Sequence, residues 1–238
     1  MAVGGFLLLT YLRRGKSPNR RLAVYIEGDG RKWPSPDRPP ADPTPRESLV
    51  MELAVRHPSN PVLYIARPCQ FLDAHQLAAC HPSYWTDRRY APEVVAAISK
   101  AIDRVRTEVR AHDVELIGFS GGATIAALLA ARRRDVARLI TIAGNLDVGA
   151  WVKDGGLTPL SGSLDPADYA TALRGLDQTH FVGEDDKVVP PLVQKSFMAK
   201  LGTASKARLV SVPDFDHHCC WVGEWPRLLR EAEGKDRQ

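Results

Sequence analysis

Apolar residues in this chain fall into short unbroken runs separated by stretches with helical spacing. That alternation predicts strands buried on both faces of a parallel sheet, with helices between them. The runs are Phe6 to Leu12, Leu22 to Ile26, Val62 to Ala66, Val114 to Phe119, Ala137 to Ala143, Thr179 to Val182 and Arg208 to Val212. Thr44, Pro45 and Glu47 form a capping box with proline at the first helical position, which predicts a helix ending near His57, before Pro58. Pro92 opens a second helix to about His112, with Val95, Ile98, Ile102, Val105 and Val109 on one face. Ala-rich Gly122 to Arg133, then Ala167 to Leu173, Pro191 to Leu201 and Trp221 to Ala232, complete the helices. Strands joined by helices in this order predict an α/β fold. It is a mostly parallel twisted sheet of about seven strands with helices on both faces.

The length of 238 residues fits one domain spanning 1–238, and 44% hydrophobic with 25% charged residues excludes a disordered or fibrous chain. A net charge of +4, from 32 basic against 28 acidic residues, is too diffuse to predict a nucleic-acid partner. The run Arg132 to Arg134 sits where a helix should end and reads as a partner of the helix dipole. Phe6 to Leu9 is far shorter than the ~18 apolar residues of a membrane span. Arg13 and Arg14 follow this run, whereas a secretory signal places its basic residues first, so the segment reads as a strand. Six prolines between Pro34 and Pro45 predict a stiff irregular loop, a spacer or one wall of a site.

Chemistry concentrates at three predicted strand ends. Ile117 to Gly121 reads IGFSG, a GxSxG-type turn between an apolar strand and an Ala-rich helix. Such a sharp turn raises a serine hydroxyl above the sheet, and the following helix aims its first N–H groups at the same point. A serine nucleophile needs a base, and the base needs an orienting acid. Phe181 to Pro190 reads FVGEDDKVVP and Val212 to Trp221 reads VPDFDHHCCW, giving the order Ser, Asp, His along the chain.

With these motifs the chain resembles the α/β-hydrolases over nearly all of Phe6 to Ala232. Gly183, Asp186, Val189 and Pro190 are similar to the GxxDxxVP pattern that carries the acid there, which favours Asp186 over Asp185. His217, first in an HxCCW string, matches the position of the base better than His218. The resemblance implies an oxyanion hole made by the N–H of Gly121 and a second N–H from EGDG, at Gly28 or Asp29. Glu27 stands where histidine is usual, and Asp29 adds a negative charge; its carboxylate is expected to turn towards Arg31, Arg67 or the helix N-terminus. YIEGDG together with HxCCW resembles a bacterial branch of the superfamily that has no assigned substrate.

Four cysteines, Cys69, Cys80, Cys219 and Cys220, do not match a zinc spacing, and no metal or other cofactor is expected. Cys69 and Cys80 flank a loop short enough to bridge; Cys219 and Cys220 are either free buried thiols or a vicinal disulfide. The even count with one feasible bridge points to a periplasmic or exported protein, with the cytoplasm as the alternative. Among the tryptophans, which read equally well as packing, Trp33 and Trp151 are the candidates for lining a substrate pocket, and Trp221 is expected beneath the histidine loop. The segment from Leu146 to Gln178 is too short for a large cap domain, so the site should be open. The resemblance implies a serine hydrolase acting on small-molecule carboxylic esters, of carboxylesterase type. An acyltransferase with the same triad, or a catalytically silent binding domain on this fold, are the alternatives.

Overall fold

The computed structural model describes residues 1–15, 21–31, 33, 35, 38–59 and 61–234; Pro34 and Pro36 of the proline-rich loop lie outside them. In chain order the strands are β1 (Ala2–Val3), β2 (Phe6–Leu7), β3 (Thr10–Arg13), β4 (Arg21–Ile26), β5 (Val62–Ile65), β6 (Asp113–Phe119), β7 (Val136–Ile142), β8 (Gln178–Gly183) and β9 (Ala207–Val212). The helices are α1 (Leu49–Val55), α2 (Ala74–Ala78), α3 (Pro92–Glu108), α4 (Gly121–Ala130), α5 (Val148–Asp154), α6 (Ala170–Leu173), α7 (Pro191–Leu201) and α8 (Trp221–Ala232). Single 3₁₀ turns occur at Pro82–Trp85 and Pro166–Tyr169.

Seven strands form one sheet in the order β3-β5-β4-β6-β7-β8-β9. Only β3 runs antiparallel to its neighbour; β4 to β9 pair in parallel. Both faces are covered, so residues alternate between two apolar layers. Leu22, Val24 and Ile26 of β4 pack with α3 and α4, while Ala23 and Tyr25 pack with α1 and α8. Tyr25 also accepts a hydrogen bond from Trp225 Nε1 at 2.9 Å, which gives the buried indole its partner.

The first predicted strand, Phe6 to Leu12, divides in two. Gly4 and Gly5 take φ of +58° and +84°, closing a two-residue hairpin that pairs Phe6–Leu7 with Ala2–Val3. The chain then crosses to the main sheet, where Thr10 lies opposite Ile65. The predicted capping box also fails. Thr44 Oγ1 accepts from the Phe71 N–H at 2.8 Å, so the helix begins later, with Ser48 accepting from Met51 N–H at 3.0 Å. The segment Ala167–Leu173 is a 3₁₀ turn followed by one helical turn. α3 stops at Glu108, and Arg110 just beyond it takes φ of +56°. The short α2 and α5 were not anticipated.

Disulfides join Cys69 to Cys80 and Cys219 to Cys220. Arg132 donates to the Leu128 carbonyl at the end of α4, and Arg133 pairs with Asp103 and Asp135. Between β7 and β8 the chain makes only α5, a 3₁₀ turn and α6. No helix among the described residues is long and apolar enough to cross a membrane.

Candidate active site

The ends of β6, β8 and β9 each deliver one polar side chain to a common point. At the end of β6 the chain turns into α4 with Ser120 at φ +52°, ψ −122°, a left-handed conformation that costs about 1–3 kcal/mol for a residue with a side chain. Neighbouring backbone holds the turn: Ser120 N–H donates to the Ile142 carbonyl at 2.9 Å, and the Ser120 carbonyl accepts from Ala123 N–H at 3.0 Å. The turn can close this tightly because a Cβ on Gly122 would lie 2.2 Å from the Ile26 carbonyl oxygen, and one on Gly118 2.4 Å from that of Gly122. Gly118 and Gly122 are therefore the two glycines of the GxSxG pattern that the backbone of the serine turn demands.

Ser120 Oγ lies 3.0 Å from His217 Nε2, and His217 Nδ1 lies 2.8 Å from Asp186 Oδ2. Asp186 is buried, and its other oxygen accepts the N–H groups of Val188 and Val189 at 2.8 and 2.9 Å. A carboxylate already fixed by two donors can only accept from the imidazole. The proton of neutral His217 therefore belongs on Nδ1, leaving Nε2 as the acceptor facing the serine hydroxyl. Trp221, fully buried, donates from Nε1 to the carbonyls of Asp216 and His217 at 3.1 and 3.2 Å, so the histidine loop rests on it. Asp216 accepts from the N–H groups of His218 and Cys219, both at 2.7 Å, and these bonds hold its carboxyl below the usual range. Phe119 packs against the His217 ring at 5.0 Å between centroids.

Glu184, Asp185 and His218 are exposed and outside this chain of hydrogen bonds. On the opposite side lies the loop after β4. Glu27 is buried and accepts from Gly28 N–H at 3.0 Å, from Tyr64 at 2.7 Å and from Ser48; burial nevertheless raises its carboxyl above the ordinary range. The Gly28 N–H is thus engaged by the Glu27 carboxylate within the loop itself. The Asp29 carboxylate stays beside the start of α4, where a Cβ on Gly121 would meet it at 1.9 Å. It does not reach for Arg31. Instead Arg67 and Arg89 pair with it at 3.0 and 3.2 Å, and Tyr90 donates to it at 2.6 Å. Burial alone would raise the Asp29 carboxyl, but the two guanidiniums and the phenol outweigh it and hold it below the usual range.

The two candidate pocket tryptophans part company. Trp151 Nε1 donates to the Val188 carbonyl at 2.8 Å, which ties α5 to the acid turn. Trp33 is half-buried, and among the described residues no hydrogen bond or ring contact joins it to Ser120, His217 or Asp186. Trp85 donates to the Pro40 carbonyl at 2.9 Å and so packs under the proline-rich loop.

No protein-family model matches the sequence, and neither does any curated protein. Solved structures do match. An α/β serine hydrolase homologue from Coxiella burnetii is 17% identical with a TM-score of 0.65, over 99% of this chain and 94% of its own. Est1E from Butyrivibrio proteoclasticus, with ferulic acid bound, is 13% identical with a TM-score of 0.69, over 98% and 97%. An α/β serine hydrolase without a lid from Xanthomonas campestris is 15% identical with a TM-score of 0.57, over 96% and 88%. The chain has the α/β-hydrolase fold.

Within the α/β-hydrolase fold the serine turn, the acid and the histidine follow three different parallel strands, so none of the three is near another in sequence. Each was legible from its own local motif. Gln70, Arg67, Arg89 and Tyr90, which surround the loop after β4, carry no such motif. Arg67 is one of the partners expected for Asp29.

Proposed function

We propose that the chain is a serine hydrolase that cleaves carboxylic esters of small molecules. Ser120 Oγ attacks the ester carbonyl as His217 Nε2 takes its proton, and Asp186 keeps the imidazole in the required tautomer and balances its positive charge. The tetrahedral oxyanion is held by the N–H groups of Gly121, at the start of α4, and Asp29. Collapse of this intermediate expels the alcohol, which receives the proton from His217. The resulting acyl-Ser120 is attacked by water, with His217 again the base, and a free carboxylic acid leaves.

The observation that carries this reading is the hydrogen-bonded chain from Ser120 Oγ through His217 to Asp186, at 3.0 and 2.8 Å. The strained φ of Ser120 supports it, because such strain persists only where surrounding structure imposes it. The choice of esters is supported by the neighbours named as esterases, among them Est1E and one from Pyrococcus furiosus. The absence of a separate cap between β7 and β8 supports an open site. Turnover of a series of p-nitrophenyl esters of increasing chain length tests both the reaction and the size of the site. Ser120→Ala should lower kcat by about 10⁴-fold or more while leaving the fold intact. Equal turnover by wild type and Ser120→Ala would remove the nucleophile from the proposal.

A further inference from the structure

The Asp29 N–H can stabilise an oxyanion only if the Gly28–Asp29 peptide faces the serine, and one side chain controls that. Gln70 is almost fully buried. Its Nε2 donates to the Gly28 carbonyl at 3.0 Å, and its Oε1 accepts from Arg67 N–H at 3.0 Å. The peptide is trans, so its carbonyl and its N–H point in opposite directions. Holding the Gly28 carbonyl on Gln70 therefore turns the Asp29 N–H away from Gln70. The nucleophile lies close to this peptide: a Cβ on Gly28 would come within 3.6 Å of Ser120 Cβ.

The turn that carries Gln70 is itself strained and anchored. Cys69 and Phe71, on either side of it, take φ of +70° and +56°. Cys69 is tied to Cys80, and the Phe71 N–H is bound by Thr44 Oγ1 at 2.8 Å. Two non-glycine residues in the left-handed region around one buried amide mean that the surroundings fix this turn. The task needs a donor and an acceptor at the end of one side chain. Glutamine has both, whereas glutamate lacks the donor and methionine lacks both.

We infer that Gln70 is a positioning residue, which orients the Gly28–Asp29 peptide so that the Asp29 N–H meets the developing oxyanion. This rests on the serine-hydrolase reading above. Without Gln70 the Gly28 carbonyl loses its donor. With a glycine on one side, the peptide can then rotate its N–H away from the site at little steric cost.

Gln70→Met and Gln70→Glu, made in the full chain, test this by steady-state kinetics on p-nitrophenyl acetate and by inhibition with a trifluoromethyl ketone, which forms a tetrahedral adduct. In both variants kcat should fall roughly 10- to 100-fold with KM within about threefold of wild type. The ketone inhibition constant should rise by the same factor as kcat/KM falls, at unchanged near-ultraviolet circular dichroism. A merely structural role would not link those two changes.

Wild-type kcat in either folded variant overturns the inference, as does a fall in kcat with ketone affinity unchanged. If Gln70→Met does not fold, Gln70→Glu decides, because it keeps the acceptor for Arg67 N–H. Failure of both to fold makes Gln70 a structural residue and also overturns it. If the wild type neither hydrolyses esters nor takes up a fluorophosphonate at Ser120, the serine-hydrolase reading itself has failed. Normal wild-type turnover beside unaffected Gln70 variants removes only the role of Gln70.

Discussion

The two sides of the site are built by different means. On the acid–base side, Asp186 and His217 are held by groups close in sequence: Asp186 by N–H groups two and three residues on, and the His217 loop by the Trp221 indole four residues on. On the oxyanion side the loop after β4 is held by side chains remote in sequence. Gln70 reaches back 42 residues to Gly28, and Arg89 and Tyr90 reach 60 and 61 residues to Asp29. Short-range bonds keep the acid and base in place with few ties to the rest of the fold. A cage of charged and amide groups links the oxyanion loop to the integrity of the fold. Changes on the first side should therefore abolish chemistry while sparing stability, and changes on the second should disturb both.

The sharpest contrast lies between adjacent residues of the acid–base side. His217→Ala should lower kcat by about 10⁴-fold, whereas His218→Ala, exposed and outside the chain of bonds, should stay within a few-fold of wild type. Kinetics of the two variants side by side, with melting temperatures close to wild type, check it; the reverse pattern would move the base to His218.

Within the acid strand β8, His180 is fully buried, bonded to Thr141 at 2.8 Å and edge-on to Phe197, and burial depresses its imidazole to about 3. The unfolded chain binds this proton near pH 6.5 and the native protein does not. Stability is thus complete above pH 6.5 and is lost at up to about 1.4 kcal/mol per pH unit as the pH falls towards 3. Urea unfolding at pH 7, 5.5 and 4.5 should show this slope for wild type and a shallower one for His180→Asn. Parallel slopes would rule out His180 as the cause.

Asp29→Asn should break the pattern of the acid–base side by lowering stability as well as activity. It strands two guanidiniums whose side chains are only 4% and 11% exposed. Discounted for the quarter exposure of Asp29 itself, the loss should be about 2 kcal/mol, read by urea unfolding. Unchanged stability would mean that the cage is not energetically coupled to the fold. Trp151→Phe, which keeps an aromatic ring but removes the bond to the Val188 carbonyl, should cost about 1 kcal/mol, with kcat reduced no more than a few-fold. A loss in kcat as large as that of His217→Ala would show that Trp151 touches the substrate.

The same contrast explains what could be read from the sequence. Helices α7 and α8 begin and end where proline, glycine and apolar spacing put them, and the seven-strand parallel arrangement follows from the apolar runs. Ser120, Asp186 and His217 each announce themselves through a motif a few residues long. The start of α1 was misread because Thr44 uses its hydroxyl on the Phe71 N–H, across 27 residues, instead of on its own helix. α2 and α5 are capped by Asp73 and Asp147 but are too short to show a helical period. The bond of the Gly28 N–H to Glu27 and that of Gln70 to the Gly28 carbonyl exist only in the folded loop, the second only once β4 and β5 lie side by side. Long-range pairing of side chains leaves no local signature.

The most direct test of the nucleophile is to treat the folded protein with a fluorophosphonate and locate the adduct by mass spectrometry. One adduct per chain, on the peptide containing Ser120 and lost in His217→Ala, is the expected result. No adduct on folded protein, or an adduct at another serine such as Ser48 or Ser163, would contradict the assignment of Ser120.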